Sequence, residues 1–229
     1  MGVRIVVVGT GTDVGKTHVT CALARSFREA GSRVVAWKPI ASGVDGMTPG
    51  DAEAISESAG TPVIAPLYSF VPPISPHLAA RQAGLTIDVE VLAKRADELS
   101  IGVDVLIVET AGGLFSPVAP GVFNADIVRR LMPCRVLLVA PDRIGVLHDV
   151  QATRLAARAS DVEIDVVALS AALDPDASSG TNAGEIETVL GLRVAAVFPR
   201  AAATAESTRT AARAVVREAA RVDMIGNRP

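Results

Sequence analysis

A doubly wound α/β fold, with a mostly parallel central sheet flanked by helices, is predicted by three observations. Apolar runs alternate along the chain with segments of helical spacing, the pattern of parallel strands joined by crossover helices. The first run, residues 3–8, is rich in β-branched residues and reads as a buried parallel strand. All 229 residues pass without an internal repeat, low-complexity tail or linker, so one domain over 1–229 with a single large core is expected.

The first strand breaks into a glycine-rich turn, Gly9-Thr10-Gly11-Thr12-Asp13-Val14-Gly15-Lys16-Thr17, followed by a helix with Val19, Leu23 and Phe27 on one face. Strand, glycine-rich turn and helix in that order form a phosphate cradle of the P-loop NTPase type. Its backbone amides point at an anion and the helix N-terminus adds partial positive charge. Lys16 is placed to bridge the β- and γ-phosphates, and the Thr17 hydroxyl to ligate Mg²⁺. The general pattern puts a glycine where this chain has Thr10; its first glycine, Gly9, comes one position earlier. The competing reading is an ordinary β–α turn without ligand, and the flanking strand and helix favour the nucleotide.

Gly31 is a plausible stop for the first helix, and a second strand is expected over 33–38, closed by Pro39. Proline keeps Lys38 extended at the strand's C-terminal end, the edge where open parallel sheets bind ligands. A lysine there meets an anion or snorkels to solvent. Ser42-Gly43 continue the turn, 44–50 reads as a flexible loop, and Asp51 opens a helix over 51–59. For Asp51 the residues alone favour an N-cap over a metal-facing carboxylate. Five prolines over 61–77 predict a long ordered loop or lid. It ends at Ser75-Pro76-His77, where His77 reads equally as a helix-terminus or a pocket residue.

A short helix over 78–82 and another over 88–99 precede a strand over 103–108 that ends in Glu109. Four apolar residues and then an acid at a strand end are the arrangement in which a carboxylate holds Mg²⁺. Thr110-Ala111-Gly112-Gly113 then lets backbone approach a ligand closely. Next come a loop (114–122), a helix (123–132), a strand (135–140), a helix (147–160), a strand (164–171), a helix (185–190), a strand (194–198) and a last helix (206–222). In that last helix Arg209, Arg213, Arg217 and Arg221 recur every four residues and read as a solvated face.

Composition narrows the function classes. A net charge of −3 gives no case for nucleic acid, and 3% aromatic residues leave little for base stacking. No apolar run approaches the roughly 20 residues of a membrane span, and the N-terminus lacks signal-peptide organisation. Cys21 and Cys134 read as small buried hydrophobes in a reducing compartment, so a cytoplasmic protein without a membrane partner is expected.

These residues resemble the dethiobiotin synthetase family. The resemblance is carried by residues 9–17, by Lys-Pro-Ile-Ala-Ser-Gly (38–43), Ser-Pro-His (75–77) and Glu-Thr-Ala-Gly-Gly (109–113). Weaker similarity continues through Phe123-Asn124-Ala125-Asp126 and Ile144-Gly145 to the last strand. It implies a homodimeric ligase of biotin biosynthesis that uses ATP as co-substrate and Mg²⁺. The implied substrates are 7,8-diaminopelargonic acid and CO₂ or bicarbonate, joined through a carbamate and a carbamic–phosphoric anhydride.

Carried over residue by residue, the resemblance makes Lys38 and Lys16 catalytic, and Thr17, Asp51 and Glu109 the Mg²⁺ positions. It implies nucleotide contacts from Asp13, Val14, Gly15, Lys16, Thr17 and His18 in the loop and first helix. Further nucleotide contacts are implied at Asp51, Glu109, Thr110, Ala111 and Gly112, and at Pro199, Arg200 and Ala201. Thr12 and Ser42 would touch the diamine or carbamate. The turn Gly145-Val146-Leu147-His148 would offer amides to the carboxylate of a substrate bound in the partner chain. Thr110 stands where the family usually has glycine and is expected to crowd the phosphate side. Ala171-Ala172-Leu173-Asp174 stands where the family carries an adenine-reading Asn-Asp.

The alternative reading is a dimeric regulatory or partitioning ATPase of the same superfamily. Such proteins carry an extra lysine where this chain has Gly11, and they have no use for Lys38-Pro39 and Ser42-Gly43. An amidating synthetase of the corrinoid pathway would need a glutamine-hydrolysing domain for which the chain has no space. A catalytically dead binding module would not need the full set of Lys16, Thr17, Lys38, Asp51 and Glu109.

Overall fold

A computed structural model describes residues 2–44 and 50–226, with side chains as far as Ala219. The chain begins β1 (Val3–Gly9), α1 (Lys16–Glu29), β2 (Val34–Trp37), β3 (Ile40–Ser42), α2 (Asp51–Ala59) and β4 (Tyr68–Phe70). It continues α3 (Pro76–Gln82), α4 (Val89–Leu99), β5 (Val105–Gly113), β6 (Pro117–Ala119), β7 (Val122–Phe123) and α5 (Asn124–Arg130). The last third is β8 (Arg135–Asp142), α6 (Val146–Ala159), β9 (Val166–Ala171), α7 (Asn182–Leu190), β10 (Val194–Phe198) and α8 (Glu206–Gly226).

Six strands form one sheet in the order β10-β9-β8-β1-β5-β2, and every neighbouring pair is parallel. The chain first crosses from β1 to β2 and back to β5, then fills the other side with β8, β9 and β10. The reversal falls at β1, so the loop that follows it opens at the crevice where such sheets hold ligands. Side-chain alternation along β1 divides the core in two. Val6 and Val8 join Leu106, Val108 and Leu138 beneath α4, α5 and α6. Ile5 and Val7 join Ile107, Leu137 and Val139 beneath α1 and α8. Both faces are covered, which is why the middle stretches of these strands are apolar. Among the described residues no helix is long and apolar enough to cross a membrane.

Most expected elements stand within one to three residues of their predicted ends. Four expectations change. Ile40–Ser42 is a short strand, not part of a turn. It pairs in parallel with Tyr68–Phe70 from inside the expected 61–77 loop. Buried Ile40 and Phe70 drive this pairing, and the prolines flank it. The 114–122 loop contains the small antiparallel pair β6–β7. β5 runs four residues past Glu109, because it pairs with β1 again at Gly113, opposite Gly9, after a register shift beyond Val7 and Glu109. Asp51 is the first helical residue, not the N-cap. Gly50 caps α2 in extended geometry, and its amide donates to Glu53 Oε2 at 2.9 Å.

The expected loop over 44–50 lies mostly outside the described residues, as does the side chain of Arg221. The arginine stripe is not wholly given to solvent, since Arg209 reaches Glu29 of α1 at 3.3 Å. Pro76 opens α3, as suits a residue without an amide hydrogen. That places His77 in the helix's first turn, its Nδ1 3.0 Å from the Ser75 hydroxyl.

Candidate active site

The loop between β1 and α1 is shaped by two left-handed residues, Asp13 (φ 56°) and Gly15 (φ 93°). Val14 between them is buried and pins the arch to the core. Amides on either side of such residues converge into an anion-binding concavity. Gly15 is also sterically required: a Cβ there would stand 2.3 Å from Ser170 Oγ. Lys16, 6% exposed, folds its ammonium back onto the Gly11 carbonyl at 2.9 Å, at the mouth of the loop. Burial pushes its pKa down to about 8; Glu109 opposes this, and the nearby charge of Lys38 adds to it.

Opposite the loop, β5 delivers Glu109 into the floor of the cleft with no exposed surface. Its Oε1 accepts from the Thr17 hydroxyl at 2.8 Å and from Lys38 Nζ at 2.9 Å. Lys38 also donates to Asp51 at the head of α2. Burial works against the Lys38 charge, but Glu109 and then Asp51 outweigh it, so its pKa is raised and it stays an ammonium ion. Glu109 Oε2 is buried and finds no hydrogen-bond partner among the described residues. An orphaned carboxylate oxygen beside a hydroxyl and a second carboxylate is an all-oxygen donor set. It fits a small hard divalent cation such as Mg²⁺, which keeps waters and substrate phosphates as its other ligands.

The cleft enclosed by these groups measures ≈ 580 Å³. Most of the expected residues meet in it: Thr12, Asp13 and Gly15–His18 from the loop and α1, Lys38, Ser42 and Asp51, then Glu109, Ala111 and Gly112, and finally Arg200 and Ala201. Val14 and Thr110 do not, because both side chains face the core. The Thr110 hydroxyl donates to the Val7 carbonyl at 3.2 Å, so it does not crowd the phosphate side. Pro199 meets α1 rather than the cleft. Its carbonyl lies 3.0 Å from His18 Nε2, which therefore carries the ring proton. Burial holds His18 below the usual imidazole pKa, and its ring meets Phe198 edge-on.

Gly145, Val146, Leu147 and His148 lie outside this cleft. Val146, the first residue of α6, is buried, and Gly145 caps that helix at φ 90°.

Two contributors escaped the sequence reading. Ser170 stands at the junction of the cleft with a second cavity of ≈ 500 Å³, which is walled by Ala171–Asp174, Arg143 and Ile144. The available signal was a hydroxyl at the C-terminal end of an apolar strand. Asn124, fully buried, braces the cleft's far wall by donating to the Ala111 and Gly113 carbonyls at 2.6 and 2.8 Å.

Comparisons with known proteins bear on the family and the fold. A family described as an AAA domain matches residues 3–208. The chain is 40% identical over 169 residues to the ATP-dependent dethiobiotin synthetase BioD of Nitrosospira multiformis, covering 72% of this chain and 74% of that one. It is 34% identical over 212 residues to the protein of the same name from Rhodopirellula baltica, covering 83% and 81%. Among solved structures, the septum site-determining protein MinD of Pyrococcus horikoshii, complexed with Mg-ADP, superposes with a TM-score of 0.57 at 16% identity over 99% of this chain and 98% of that one. The signal recognition particle receptor FtsY of Elizabethkingia anophelis gives 0.59 at 20% identity over 94% of this chain and 65% of that one. At those identities the two structures share the P-loop architecture. With the loop, the paired lysines and the sequence relatives in agreement, the chain belongs to the ATP-dependent dethiobiotin synthetase family of P-loop proteins.

Proposed function

We propose that the chain converts 7,8-diaminopelargonic acid, CO₂ and ATP to dethiobiotin, ADP and phosphate in the cytoplasm, as a homodimer. The observation that carries this reading is the second buried ammonium. Triphosphate binding alone accounts for Lys16, whereas Lys38, clamped between Glu109 and Asp51, provides for a further anion beside the γ-phosphate.

One amine of the substrate takes up CO₂ and loses a proton to become a carbamate. A carbamate oxygen then attacks the γ-phosphorus and ADP leaves. The second amine closes on the carbamic–phosphoric carbonyl and expels phosphate. Two anions must approach in the middle step, so catalysis here is charge neutralisation and alignment. Lys16 holds the β- and γ-phosphates, and Lys38 sits between carbamate and γ-phosphate. Thr17, Asp51 and Glu109 would hold Mg²⁺, which would add positive charge at the phosphates. Thr17 donates its hydroxyl hydrogen to Glu109, which leaves the oxygen's lone pairs for a cation. Thr12 and Ser42 orient the diamine, and the turn at Gly145–His148 receives the carboxylate of the substrate held by the partner subunit.

The test is phosphate release by the purified chain with Mg-ATP and bicarbonate, with and without the diamine. Release that requires the diamine and yields the cyclic urea establishes the reading. Diamine-independent release would move the chain to the switch ATPases that share its architecture.

A further inference from the structure

Ten residues without regular structure, 172–181, join β9 to α7, yet they are tied at both ends to the turn that opens α6. Asp176 makes the first tie. Its Oδ2 accepts the Ile144 amide at 2.8 Å, and its Oδ1 accepts the Ser178 amide at 2.8 Å and the Ser178 hydroxyl at 2.6 Å. Asp142, nearly fully buried, makes the second: its carboxylate takes the Gly180 amide and the Asn182 side chain, each at 2.8 Å. Ser179 closes the ring, accepting from the Asp176 amide and donating to the Asp142 carbonyl.

Ile144 is the residue before Gly145, whose left-handed φ of 90° starts α6. Its side chain is 73% exposed, so packing does not hold it; the turn is closed by the Val146 amide on the Arg143 carbonyl at 3.2 Å, and the bond to Asp176 is the tie that joins it to the 172–181 segment. The Leu147 and His148 amides, one turn on, take no backbone partner among the described residues and remain available to an anion. Residues 171–174, at the start of the same segment, and Asp176 itself wall the cavity that opens beside Gly15 and Arg200.

We infer that Asp176 is a positioning residue, which holds the Ile144–Gly145 turn in the shape that presents the α6 amides to a carboxylate. Its functional half rests on the proposed reaction; its structural half does not. Asp176 touches no reacting atom, so its removal weakens carboxylate binding and leaves the phosphoryl step intact.

The experiment compares Asp176→Ala with Ser178→Ala in the full chain. Ser178→Ala removes hydrogen bonds inside the segment but leaves the Ile144 tie, so it controls for general loosening. Hydrogen–deuterium exchange over 143–148 is expected to rise about tenfold or more in Asp176→Ala and to change little in Ser178→Ala, with 136–140 unaltered in both. In steady-state assays KM for the diamine is expected to rise about fivefold or more in Asp176→Ala alone, with kcat within about twofold.

Unchanged exchange at 143–148, or equal effects in both variants, overturns the inference. Faster exchange with an unchanged diamine KM in an active enzyme overturns its functional half. A wild-type chain that releases no diamine-dependent phosphate sinks the proposed reaction instead, and the exchange result then decides the positioning role by itself.

Discussion

Lys38 Nζ stands 2.9 Å from Glu109 Oε1, the same oxygen that takes the Thr17 hydroxyl. One atom of β5 thus joins the end of β2 to the first turn of α1. Removing the ammonium leaves a fully buried carboxylate with a hydroxyl as its main support. Lys38→Met should therefore unfold more easily by about 3 kcal/mol, as loss of one partner from a buried pair does. It should also lose diamine-dependent phosphate release by about a hundredfold or more, while retaining nucleotide. Chemical denaturation, turnover and nucleotide titration on one preparation check all three.

Thr110→Gly should separate stability from catalysis. The variant restores the residue usual in the family, but the Thr110 side chain faces the core and bonds the Val7 carbonyl. The loss of that bond and the added backbone freedom should cost about 1–2 kcal/mol. Because the cleft is untouched, kcat/KM should stay within about twofold. Urea unfolding and steady-state kinetics measure the two halves.

Gly15→Ala should abolish nucleotide binding, because the added Cβ meets both Ser170 Oγ and Ser170 Cβ, at 2.3 and 2.7 Å. Gly31→Ala has a similar φ, 88°, but nothing within 4 Å of its would-be Cβ. It should lose about 1 kcal/mol of stability and bind nucleotide normally. Isothermal titration of the two variants distinguishes steric closure of the loop from backbone strain alone.

The two thiols set an alkaline limit. Burial pushes the Cys21 thiol up to about 11 and the Cys134 thiol up to about 12, from an ordinary 9.0. Acids whose folded pKa exceeds the unfolded one hold more protons when folded. Their stabilising effect is complete below pH 9 and is lost as the pH rises toward 11 and 12. At pH 8 both should react slowly with a thiol-directed reagent in the folded chain and rapidly in urea. The folded rate should climb about tenfold per pH unit until the thiol pKa is approached.

The nucleotide loop, Lys38 and Glu109 were legible because each is announced locally, by an apolar run that ends in a polar or glycine-rich stop. Thr110 was misread because its direction depends on whether β5 ends at Glu109 or continues. Continuation keeps the alternation up to Thr110, so Glu109 enters the cleft and Thr110 turns the other way, into the core. β3 and β4 went unseen because three residues are too few for a period of two to show, and prolines stand around them. Asp51 was ambiguous because its partner, Lys38, lies thirteen residues back and meets it only in the folded chain. Asp176 was invisible for the same reason, thirty-two residues from the amide it holds.

The continuation of β5 to Gly113 has a wider consequence. The loop that embraces phosphate hangs from the end of β1, and the wall facing it is the end of β5; these two central strands stay paired as far as Gly9 and Gly113, across a register shift after Val7. Neither wall is free to give way unless the middle of the sheet parts. Heat should therefore inactivate and unfold this protein in one step. Adaptation to a new acceptor would have to begin at the margins, in the small β3–β4 pair and the entrance to α6, where change leaves that central seam untouched.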